Sequence, residues 1–361
     1  MSQATTKFLI DTFSQLGQRL ATPNQQLQQL IADEHHYNAW FTPHSVENAV
    51  KAIGGMLNKE GLEKWFSMEN GSGKMEDVSE HKNTSSILPL TSSIKKIGLI
   101  LAGNIPLVGF HDTLCVLASG NYAMIKASSN DARLLKYVLS QLVEIAPDFA
   151  GKFEFVERLA GFDAVIATGS NNTSRYFDYY FGKVPNIIRK NRNSVALLTG
   201  DENTEQLYLL GHDIFDFFGL GCRNVSKLLV PKHYNFTPFF EAIEPHQPII
   251  NHHKYNNNYD YNKSIYLVNG DKHLDNGFLL VKEDTRLASP LAVLYFEYYD
   301  DIAAAEIRLT ELSDAIQCIV TAEPLKVTNQ VVGFGQSQQP ALWDYADGVD
   351  TMRFLTTDLI D

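Results

Sequence analysis

The stretch KKIGLILAGNIPLVGFHDTLCVLASGNYAMIKASS, residues 95–129, alternates between strand-like and helix-like segments. KKIGLILAG is a short apolar run that ends in glycine, which is typical of a buried strand, and NYAMIKASS has the same character. The run PLVGFHDTLCVLASG between them predicts a helix. A strand, a helix and a second strand in this order indicate a βαβ unit and a parallel sheet.

The alternation continues beyond residue 129. NDARLLKYVLSQLVEIA predicts an amphipathic helix with Asn130 as its N-cap, FDAVIATGS predicts a strand, and NNTSRYFDYYFG predicts a helix. Ligands of parallel sheets bind beyond the carboxyl ends of the strands. Three polar or glycine-containing segments fall at such ends, namely 103–104, 126–129 and 168–170.

The segments on either side extend this α/β pattern. The first 66 residues predict helices, and residues 67–92 are polar and rich in glycine and serine, which predicts a surface loop or hinge. A second block of helices and strands begins near residue 200. We therefore expect three parts: N-terminal helices with a dinucleotide-binding domain (1–200), a catalytic cysteine domain (201–330), and a C-terminal segment that packs back on the body (331–361).

The second block contains several further segments. EQLYLLGHDIFDFFG and YNFTPFFEAI predict helices, whereas strands are predicted for SKLLVP, SIYLVNG, GFLLVKE, AVLYFEYY and AIQCIV. NHHKYNNNYDYNK, residues 251–263, is biased toward Asn, Tyr and His and predicts an exposed loop. Two adjacent histidines in such a polar run rarely bind metal, so we predict no metal site.

Composition excludes several classes of protein. The formal net charge of −12 over 361 residues disfavours nucleic acid as a partner. No apolar run approaches the roughly 18 residues of a membrane span, and the start lacks the order of a signal peptide. Three cysteines make no plausible disulfide framework in so long a chain, so we expect a reduced, cytoplasmic protein.

The three cysteines differ in their neighbours. Cys115 and Cys318 lie in apolar runs, where a free cysteine usually behaves as a small buried hydrophobic residue. Cys222 follows Gly221, which permits close backbone approach, and precedes Arg223, whose charge favours a thiolate. Taken alone, these residues leave both a structural role and a nucleophilic role open for Cys222.

The polar residues at the strand ends suit a nucleotide. Lys126, with Ser128 and Ser129 after it, is placed to reach ribose hydroxyls or a phosphate, although a solvated lysine would have the same pattern. The segment 168–170, Thr-Gly-Ser, precedes a predicted helix whose N-terminus would suit a pyrophosphate, although an ordinary N-cap serine is equally compatible. The GxGxxG pattern of a standard Rossmann fingerprint is absent.

Asn104 lies in GNIP, between a predicted strand and a predicted helix with proline near its first turn. Its side-chain amide could donate to a developing oxyanion, and a plain turn asparagine is the alternative.

The order of these segments resembles the aldehyde dehydrogenase superfamily. GNIPLVGFHDTLCVLASGNYAMIKAS resembles its N-x-P, A-x-G-N and K-x-S segment, FDAVIATGS its cofactor strand, and GLGCRNVSKLLV its nucleophile segment. KEDTRLASPLAVLYF is similar to a later segment with an acidic residue before G-P, here Ser289-Pro290. LAGNIPL, IKASSND and DGVDTMRFL resemble the LuxC-like acyl-CoA reductase branch, and the likeness covers roughly residues 95–361.

The resemblance implies a fold and a chemistry. It implies an α/β, aldehyde dehydrogenase-like protein with two Rossmann-like parallel-sheet domains and an N-terminal helical region. It implies an acyl-CoA reductase that forms an aldehyde through a thioester on Cys222, with the Asn104 amide and the Cys222 backbone N–H at the oxyanion. The implied cofactor contacts are Lys126, Ser128 and Ser129 at the adenosine ribose and phosphate, and Thr168, Gly169 and Ser170 near the pyrophosphate.

Departures from the superfamily pattern refine the prediction. Hydrolytic members carry a water-activating glutamate where this chain has Arg189, and its loss favours reduction of the acyl thioester. NAD-preferring members often carry a glutamate where this chain has Ser129, so we expect NADPH, whose 2′-phosphate a carboxylate would repel. The acidic residues Glu283 and Asp284 are offset, so neither is assigned to the nicotinamide ribose.

Other roles and partners stay open. His111 and His212 are candidate general acids, but a structural role is the more ordinary one for each. The rival functions are a dehydrogenase that uses an acyl phosphate or an aldehyde, a non-catalytic scaffold subunit, and a cofactor-free cysteine acyltransferase. We expect an acyl-CoA substrate, no nucleic-acid or membrane partner, and a homo-oligomer or a complex with acyl-transferring or acyl-activating enzymes.

Overall fold

A computed structural model describes residues 3–71, 94–169 and 171–359. The chain divides into two compact units, Met1–Lys190 with Ala341–Asp361, and Asn191–Pro340. The sequence predicts divisions after residues 200 and 330. In the structure the last β-strand of the chain still belongs to the second unit, and the C-terminal segment from Ala341 belongs to the first.

The chain begins with a helical region, as predicted. It comprises α1 (Gln3–Ala21), α2 (Gln25–Asp33), α3 (Pro43–Met56) and α4 (Lys59–Gly71). Phe13, Leu16 and Leu20 of α1 are buried, and this helix packs on α3 and α4. Asn58 separates α3 from α4 because its side chain accepts a hydrogen bond from the Gly61 N–H at 2.8 Å. The loop predicted for 67–92 falls partly on α4, and its remainder from residue 72 lies outside the described residues.

The first unit contains a five-stranded parallel sheet. Its elements are β1 (Lys96–Ile100), α5 (Phe110–Ala118), β2 (Tyr122–Lys126), α6 (Ala132–Ile145), β3 (Phe153–Phe155), β4 (Ala164–Thr168), α7 (Asn171–Phe181) and β5 (Asn186–Arg189). The strand order is β3-β2-β1-β4-β5. Strands β2 and β3 are therefore added on one side of β1 and strands β4 and β5 on the other, and such a switch point is where open α/β sheets bind ligands.

The second unit contains a seven-stranded sheet. Its elements are β6 (Asn193–Leu197), α8 (Thr204–Phe215), β7 (Val225–Pro231), α9 (Thr237–Ile243), α10 (His253–Asn269), β8 (Leu274–Asp275), β9 (Leu280–Glu283), β10 (Val293–Tyr299), α11 (Ile302–Glu311), β11 (Ile316–Val320) and β12 (Gln330–Val332). The order is β12-β11-β6-β7-β10-β9-β8, and within it β8 and β9 pair antiparallel. The predicted α/β class with two mostly parallel sheets is confirmed.

The Asn/Tyr/His-rich stretch is not a loop. Residues 251–263 and the predicted strand SIYLVNG together supply most of α10. Tyr255, Tyr259 and Tyr266 are buried on one face of this helix together with Asn262. Its termini are also well defined, because the His252 side chain accepts from the Tyr255 N–H and Gly270 adopts a left-handed φ of 70°. Asparagines lower helix propensity, and the buried tyrosine face outweighs that preference.

Two predicted helix starts are wrong. Asp131, not Asn130, stands at the N-cap of α6, and its side chain makes no capping bond. Helix α5 begins at Phe110 rather than near Pro106, because Leu107 has a left-handed φ of 59° that a helix cannot include.

The core of the first unit joins distant parts of the chain. Apolar residues of α1, α3, α5 and α6 pack with the strands of the five-stranded sheet. Leu342, Met352 and Leu355 from the C-terminal segment, which includes α12 (Thr351–Arg353), belong to the same core. Within residues 3–71, 94–169 and 171–359, no helix has the length and apolar character needed to cross a membrane.

Candidate active site

The predicted cofactor residues meet at one edge of the first sheet. The register pairs Ile100 with both Lys126 and Ala167, so the carboxyl ends of β1, β2 and β4 are adjacent. Lys126 and Ser129 are exposed at this edge, and Thr168 is half-buried at the end of β4. Ser170 lies outside the described residues. The structure therefore brings the two predicted cofactor segments to the same edge, at the switch point.

Gly103 and Ser128 are in close contact across this edge. A Cβ atom on Gly103 would lie 2.4 Å from Ser128 Oγ and 2.6 Å from Ser128 Cβ, which is far inside van der Waals contact. Ser128 Oγ also accepts a hydrogen bond from the Asn130 N–H at 3.3 Å. The loop that carries Asn104 and the loop that follows Lys126 can approach each other only because residue 103 has no side chain.

A buried aspartate side chain holds the Asn104 loop. Asp131 Oδ2 accepts a hydrogen bond from the Leu107 N–H at 2.7 Å, and the Asp131 residue is 5% exposed. This bond stabilises Leu107 in its left-handed conformation, which costs roughly 1–2 kcal/mol for a residue with a side chain. Asn104 itself is exposed three residues earlier. Sequence reasoning missed Asp131 because an aspartate before a helix usually predicts only a cap.

Burial raises the pKa of Asp131 to about 8, partly opposed by the backbone N–H of Leu107. The nearby Glu34 carboxylate adds to the rise in this pKa, and burial also raises the pKa of Glu34 itself. The second oxygen of Asp131, Oδ1, has no hydrogen-bond partner among the described residues. A charge on this carboxyl group is therefore costly.

We expect Asp131→Asn to reduce the pH dependence of stability. Because the pKa rises from about 3.8 in the unfolded chain to about 8 in the fold, folding favours the protonated carboxyl group. This stabilisation is complete below about pH 4 and is lost as the pH rises toward 8. Asparagine keeps an acceptor for Leu107 and carries no charge. Relative to the wild type, the free energy of unfolding of Asp131→Asn should increase by about 2–3 kcal/mol between about pH 5.5 and 8.

Urea denaturation at the two pH values measures this difference. Asp131→Ala is the control, because it lacks the acceptor and should be destabilised relative to Asp131→Asn at both pH values. If the free energies of unfolding of Asp131→Asn and the wild type change equally between the two pH values, the raised pKa of Asp131 is contradicted.

Arg189 is committed to a buried ion pair. Its guanidinium donates to Asp112 Oδ1 at 2.6 Å and to Asp112 Oδ2 at 3.2 Å, and Arg189 is 3% exposed. It also donates to the Ala346 carbonyl and to Thr351 Oγ1 in the C-terminal segment. The residue at the place of the superfamily's water-activating glutamate therefore has a structural role in the first unit.

His111 is also held in the interior of the first unit. Its Nε2 donates to the Leu342 carbonyl at 2.8 Å, and its ring lies against Trp65 and Tyr345. Cys115 Sγ is 3.9 Å from His111 Nδ1, but burial raises the pKa of this thiol well above its ordinary value. These contacts favour a structural role for both residues.

Cys222 lies in a tight turn before β7. The turn closes through a hydrogen bond from the Asn224 N–H to the Gly221 carbonyl at 3.1 Å, and the Gly221 N–H donates to Asn224 Oδ1 at 2.8 Å. Of the three cysteines, Cys115 and Cys318 are buried and Cys222 is partly exposed. The structure thus distinguishes the same cysteine that the sequence did.

Asn224 anchors this turn to the end of α8. It is 2% exposed, and its Nδ2 donates to the carbonyls of Asp216 at 2.7 Å and Asp213 at 3.2 Å. One side chain thereby connects the helix that precedes the Cys222 turn with the strand that follows it. The only sequence signal for this role is an asparagine two residues after the cysteine.

The segment before Cys222 is strained. Phe217 and Phe218 have φ values of 53° and 59°, and Gly219 follows with 76°. Phe218 is held by its neighbours, since its ring centroid lies 4.3 Å from that of His252. Consecutive left-handed residues with large side chains persist only where the surroundings impose them, and such strain concentrates at functional sites.

Charged residues in the Cys222 turn and in the loop that follows β9 are held by hydrogen bonds. The Arg223 guanidinium donates to Gln330 Oε1 at 3.0 Å. Asp284 accepts from the Arg286 N–H and guanidinium, and these bonds hold the pKa of Asp284 well below its usual range. The buried Lys227 donates to the Asp284 carbonyl at 3.0 Å. Asp284 is therefore engaged within its own loop.

His212 pairs with Asp216 near the end of α8. Its Nδ1 lies 3.2 Å from Asp216 Oδ1, and this hydrogen bond raises the pKa of His212 above its ordinary value. The side chain is 39% exposed. His212 is thus the more accessible of the two histidines that the sequence nominated as general acids.

Solved structures of several aldehyde dehydrogenases are similar to this chain in fold. Aldehyde dehydrogenase 21 from Physcomitrella patens, solved with the reaction product succinate, superposes with a TM-score of 0.66 at 13% identity, covering 99% of this chain and 85% of that one. A NAD-dependent benzaldehyde dehydrogenase from Corynebacterium glutamicum gives 0.63 at 14%, covering 92% and 81%. Indole-3-acetaldehyde dehydrogenase AldA from P. syringae, solved with NAD+, gives 0.61 at 13%, covering 91% and 76%.

The fold is therefore that of the aldehyde dehydrogenases. Residues 2–178, just under half of the chain, match the model of the LuxC family, described as acyl-CoA reductase. The predicted resemblance to the aldehyde dehydrogenase superfamily and its LuxC-like branch is confirmed. The matched residues include Asn104 and the sheet edge that is predicted to bind the cofactor, whereas Cys222 lies beyond them. No curated protein matches the sequence significantly.

Proposed function

We propose that the chain is an acyl-CoA reductase, which forms an aldehyde from an acyl-CoA, in particular a fatty acyl-CoA, with NADPH as reductant. The LuxC match and the aldehyde dehydrogenase fold support an aldehyde-related oxidoreductase. The observation that carries the finer proposal is the Cys222 turn, a partly exposed thiol between glycine and arginine that is anchored by Asn224.

The first half-reaction is an acyl transfer to sulfur. The Cys222 thiolate attacks the carbonyl carbon of the acyl-CoA, a carbon–sulfur bond forms, and the bond to the CoA sulfur breaks. CoA leaves as a thiolate, which takes up a proton. A covalent intermediate divides a difficult reduction into two easier steps.

The edge of β2, β1 and β4 fits a phosphorylated dinucleotide. The Lys126 ammonium is exposed there, the exposed Ser129 presents a hydroxyl without charge, and the Gly103 backbone leaves room that a side chain would fill. Lys126, Ser128 and Ser129 would hold the adenosine ribose and its phosphate, and Thr168, Gly169 and Ser170 the pyrophosphate. When bound, NADPH supplies the hydride that the thioester carbon accepts.

The second half-reaction returns the free enzyme. The thiohemiacetal oxyanion reforms its carbonyl, the carbon–sulfur bond breaks, and Cys222 departs as the thiolate while the aldehyde is released. The Asn104 amide and the Cys222 backbone N–H are the proposed donors to the oxyanion in both steps. Arg189 supplies no base for hydrolysis, because it donates to Asp112 and cannot be deprotonated.

Mass spectrometry tests the first half-reaction directly. The protein is exposed without cofactor to acyl-CoAs of graded chain length, and peptide mapping locates the adduct. We expect one acyl group on Cys222 and none on Cys115 or Cys318, with the chain length that acylates Cys222 fastest identifying the preferred substrate. Acyl phosphate and aldehyde are assayed in parallel. An adduct formed from acyl phosphate alone would overturn the proposed donor.

Cofactor preference gives a second test. We expect Ser129→Glu to weaken NADPH binding about tenfold or more while NADH binding changes less, because a carboxylate at this position repels the 2′-phosphate. Ser129→Gln is the matched control, since it has the same size without the charge, and should discriminate less. Dissociation constants from fluorescence titration measure the effect. Equal weakening of both nucleotides by Ser129→Glu argues against the phosphate contact.

The setting of the enzyme belongs to the same proposal. A free catalytic thiol functions best under reducing conditions, which supports a cytoplasmic location. The substrate must come from a reaction that forms or transfers acyl thioesters. We therefore propose acyl-activating or acyl-transferring enzymes as partners, together with self-association of the chain.

A further inference from the structure

We propose that Ser194, together with Cys318, is a positioning residue for Cys222, holding the Cys222 carbonyl so that the turn presents its thiol in one orientation. This inference rests on the proposed function for its catalytic consequence, but the contacts that carry it lie entirely within the second unit.

Ser194 contacts the Cys222 turn through both its backbone and its side chain. It is the second residue of β6 and is 0% exposed. Ser194 Oγ donates to the Cys222 carbonyl at 3.0 Å, and the Ser194 N–H donates to the Asn224 carbonyl at 3.3 Å. Two bonds from one strand residue therefore fix two of the four residues in the turn.

The strands on both sides of Ser194 are irregular at this point. The register between β6 and β7 shifts between Ser194 and Val195. On the other side, the register between β6 and β11 shifts between Ile316 and Ile319, where Gln317 and Cys318 lie. Irregularities of this kind redirect side chains and are common beside active sites. Two of them around one serine indicate that its orientation matters more than regular pairing.

Cys318 fixes the direction of the serine hydroxyl. Its Sγ lies 3.1 Å from Ser194 Oγ. A serine hydroxyl has one hydrogen, so if that hydrogen goes to the Cys222 carbonyl, the Cys318 thiol donates to the serine oxygen. Burial raises the pKa of Cys318, although the nearby Arg223 offsets part of the rise, and the thiol therefore keeps its proton. The resulting chain of two hydrogen bonds is cooperative.

The peptide geometry transmits this constraint to the reacting residue. The peptide that follows Cys222 is trans, so its N–H, which belongs to Arg223, points away from Ser194. Fixing the carbonyl thus fixes the direction of the Arg223 N–H and the backbone that bears the thiol. A displacement of a reacting group by about 1 Å can lower the rate about 10²-fold.

The experiment compares Ser194→Ala with Ser194→Thr, which keeps the hydroxyl. The readouts are the rate and pH profile of iodoacetamide labelling at Cys222, resolved by peptide mapping, and kcat and KM for acyl-CoA reduction. We expect Ser194→Ala to lower the labelling rate about tenfold, to shift the pH profile upward and to lower kcat about 10²-fold with little change in KM. Ser194→Thr should restore most of the wild-type values.

Ser226→Ala is the matched control. Ser226 is also buried in this sheet, and its hydroxyl donates to the Leu287 carbonyl at 2.9 Å rather than to the turn. It should lose comparable stability without altering labelling at Cys222. Should Ser194→Ala fail to fold, Ser194→Cys, with a weaker donor of similar size, is expected to show the same changes to a smaller degree.

The labelling result separates this inference from the proposed function. Labelling of Ser194→Ala, or of Ser194→Cys where that variant is used, at the wild-type rate and with the wild-type pH profile overturns the positioning role, whatever the enzyme reduces. Slowed labelling with rescue by threonine supports it even where wild-type protein fails to reduce acyl-CoA, and in that event the proposed function alone is lost.

Discussion

Cys222→Ser is expected to abolish aldehyde formation while NADPH binding stays at the wild-type level. A serine hydroxyl is a far weaker nucleophile than a thiolate near neutral pH. The loss in kcat should be on the order of 10⁴-fold or more. Cofactor affinity should persist because the residues proposed to bind it belong to the edge of the first sheet.

Three measurements, made on Cys222→Ser and on the wild-type protein, separate the competing functions. Turnover is followed with acyl-CoA and NADPH, nucleotide binding by fluorescence, and acylation by mass spectrometry. Cys115→Ala serves as the control, since Cys115 is fully buried in α5 and its removal should leave turnover intact. Undiminished turnover by Cys222→Ser would remove Cys222 from the mechanism. Acylation of wild-type protein without nucleotide binding would instead favour a cofactor-free acyltransferase, and neither acylation nor binding would favour a scaffold subunit.

Arg189→Met is expected to destabilise the protein by about 3–5 kcal/mol, the largest stability effect that the structure predicts. The substitution leaves Asp112, which is 8% exposed, as a buried charge without its partner. It also removes the bonds to the Ala346 carbonyl and to Thr351, which connect β5 with the C-terminal segment. The physical reason is that a buried carboxylate is tolerated only while a cation repays its lost hydration.

Chemical denaturation measures this loss, and a double variant identifies its source. Asp112→Leu combined with Arg189→Met removes both charges and should be more stable than Arg189→Met alone. Glu144→Gln is the exposed comparison, because its 3.0 Å ion pair with Arg19 is solvated and should contribute less than about 1 kcal/mol. If Arg189→Met costs no more than Glu144→Gln, the ion pair does not stabilise the first unit as described.

Much of the fold could be predicted because its strands have recognisable local sequence patterns. Strands β1, β2, β4, β7 and β10 are short apolar runs bounded by glycine, lysine or proline, and buried parallel strands have few other patterns available. The failures share one cause. Helix α10 forms because tyrosines spaced four and seven residues apart are buried on one face, and α5 starts late because Asp131 stabilises Leu107 outside the helical region. In both places a tertiary contact overrides a local preference.

The candidate site divides in the same way. From its immediate neighbours alone, Cys222 could be distinguished from Cys115 and Cys318, and the strand-end positions of Lys126 and Thr168 followed from the βαβ pattern. The residues that hold these groups in place could not be found. Asp131, Asn224 and Ser194 act through side-chain hydrogen bonds to backbone atoms, and a sequence does not reveal which backbone atom will lie within hydrogen-bond distance of a given side chain.

By itself, the sequence determined the class of fold, the different surroundings of Cys222 and the polar residues at the carboxyl ends of the strands, because these depend on residue type and on neighbours within a few positions. Only the tertiary structure decided that Arg189 pairs with Asp112 and that Gly103 lies in close contact with Ser128. It likewise decided that Ser194 donates a hydrogen bond to the Cys222 carbonyl. Those outcomes depend on which groups folding removes from water together, and burial is a property of the whole unit rather than of any segment.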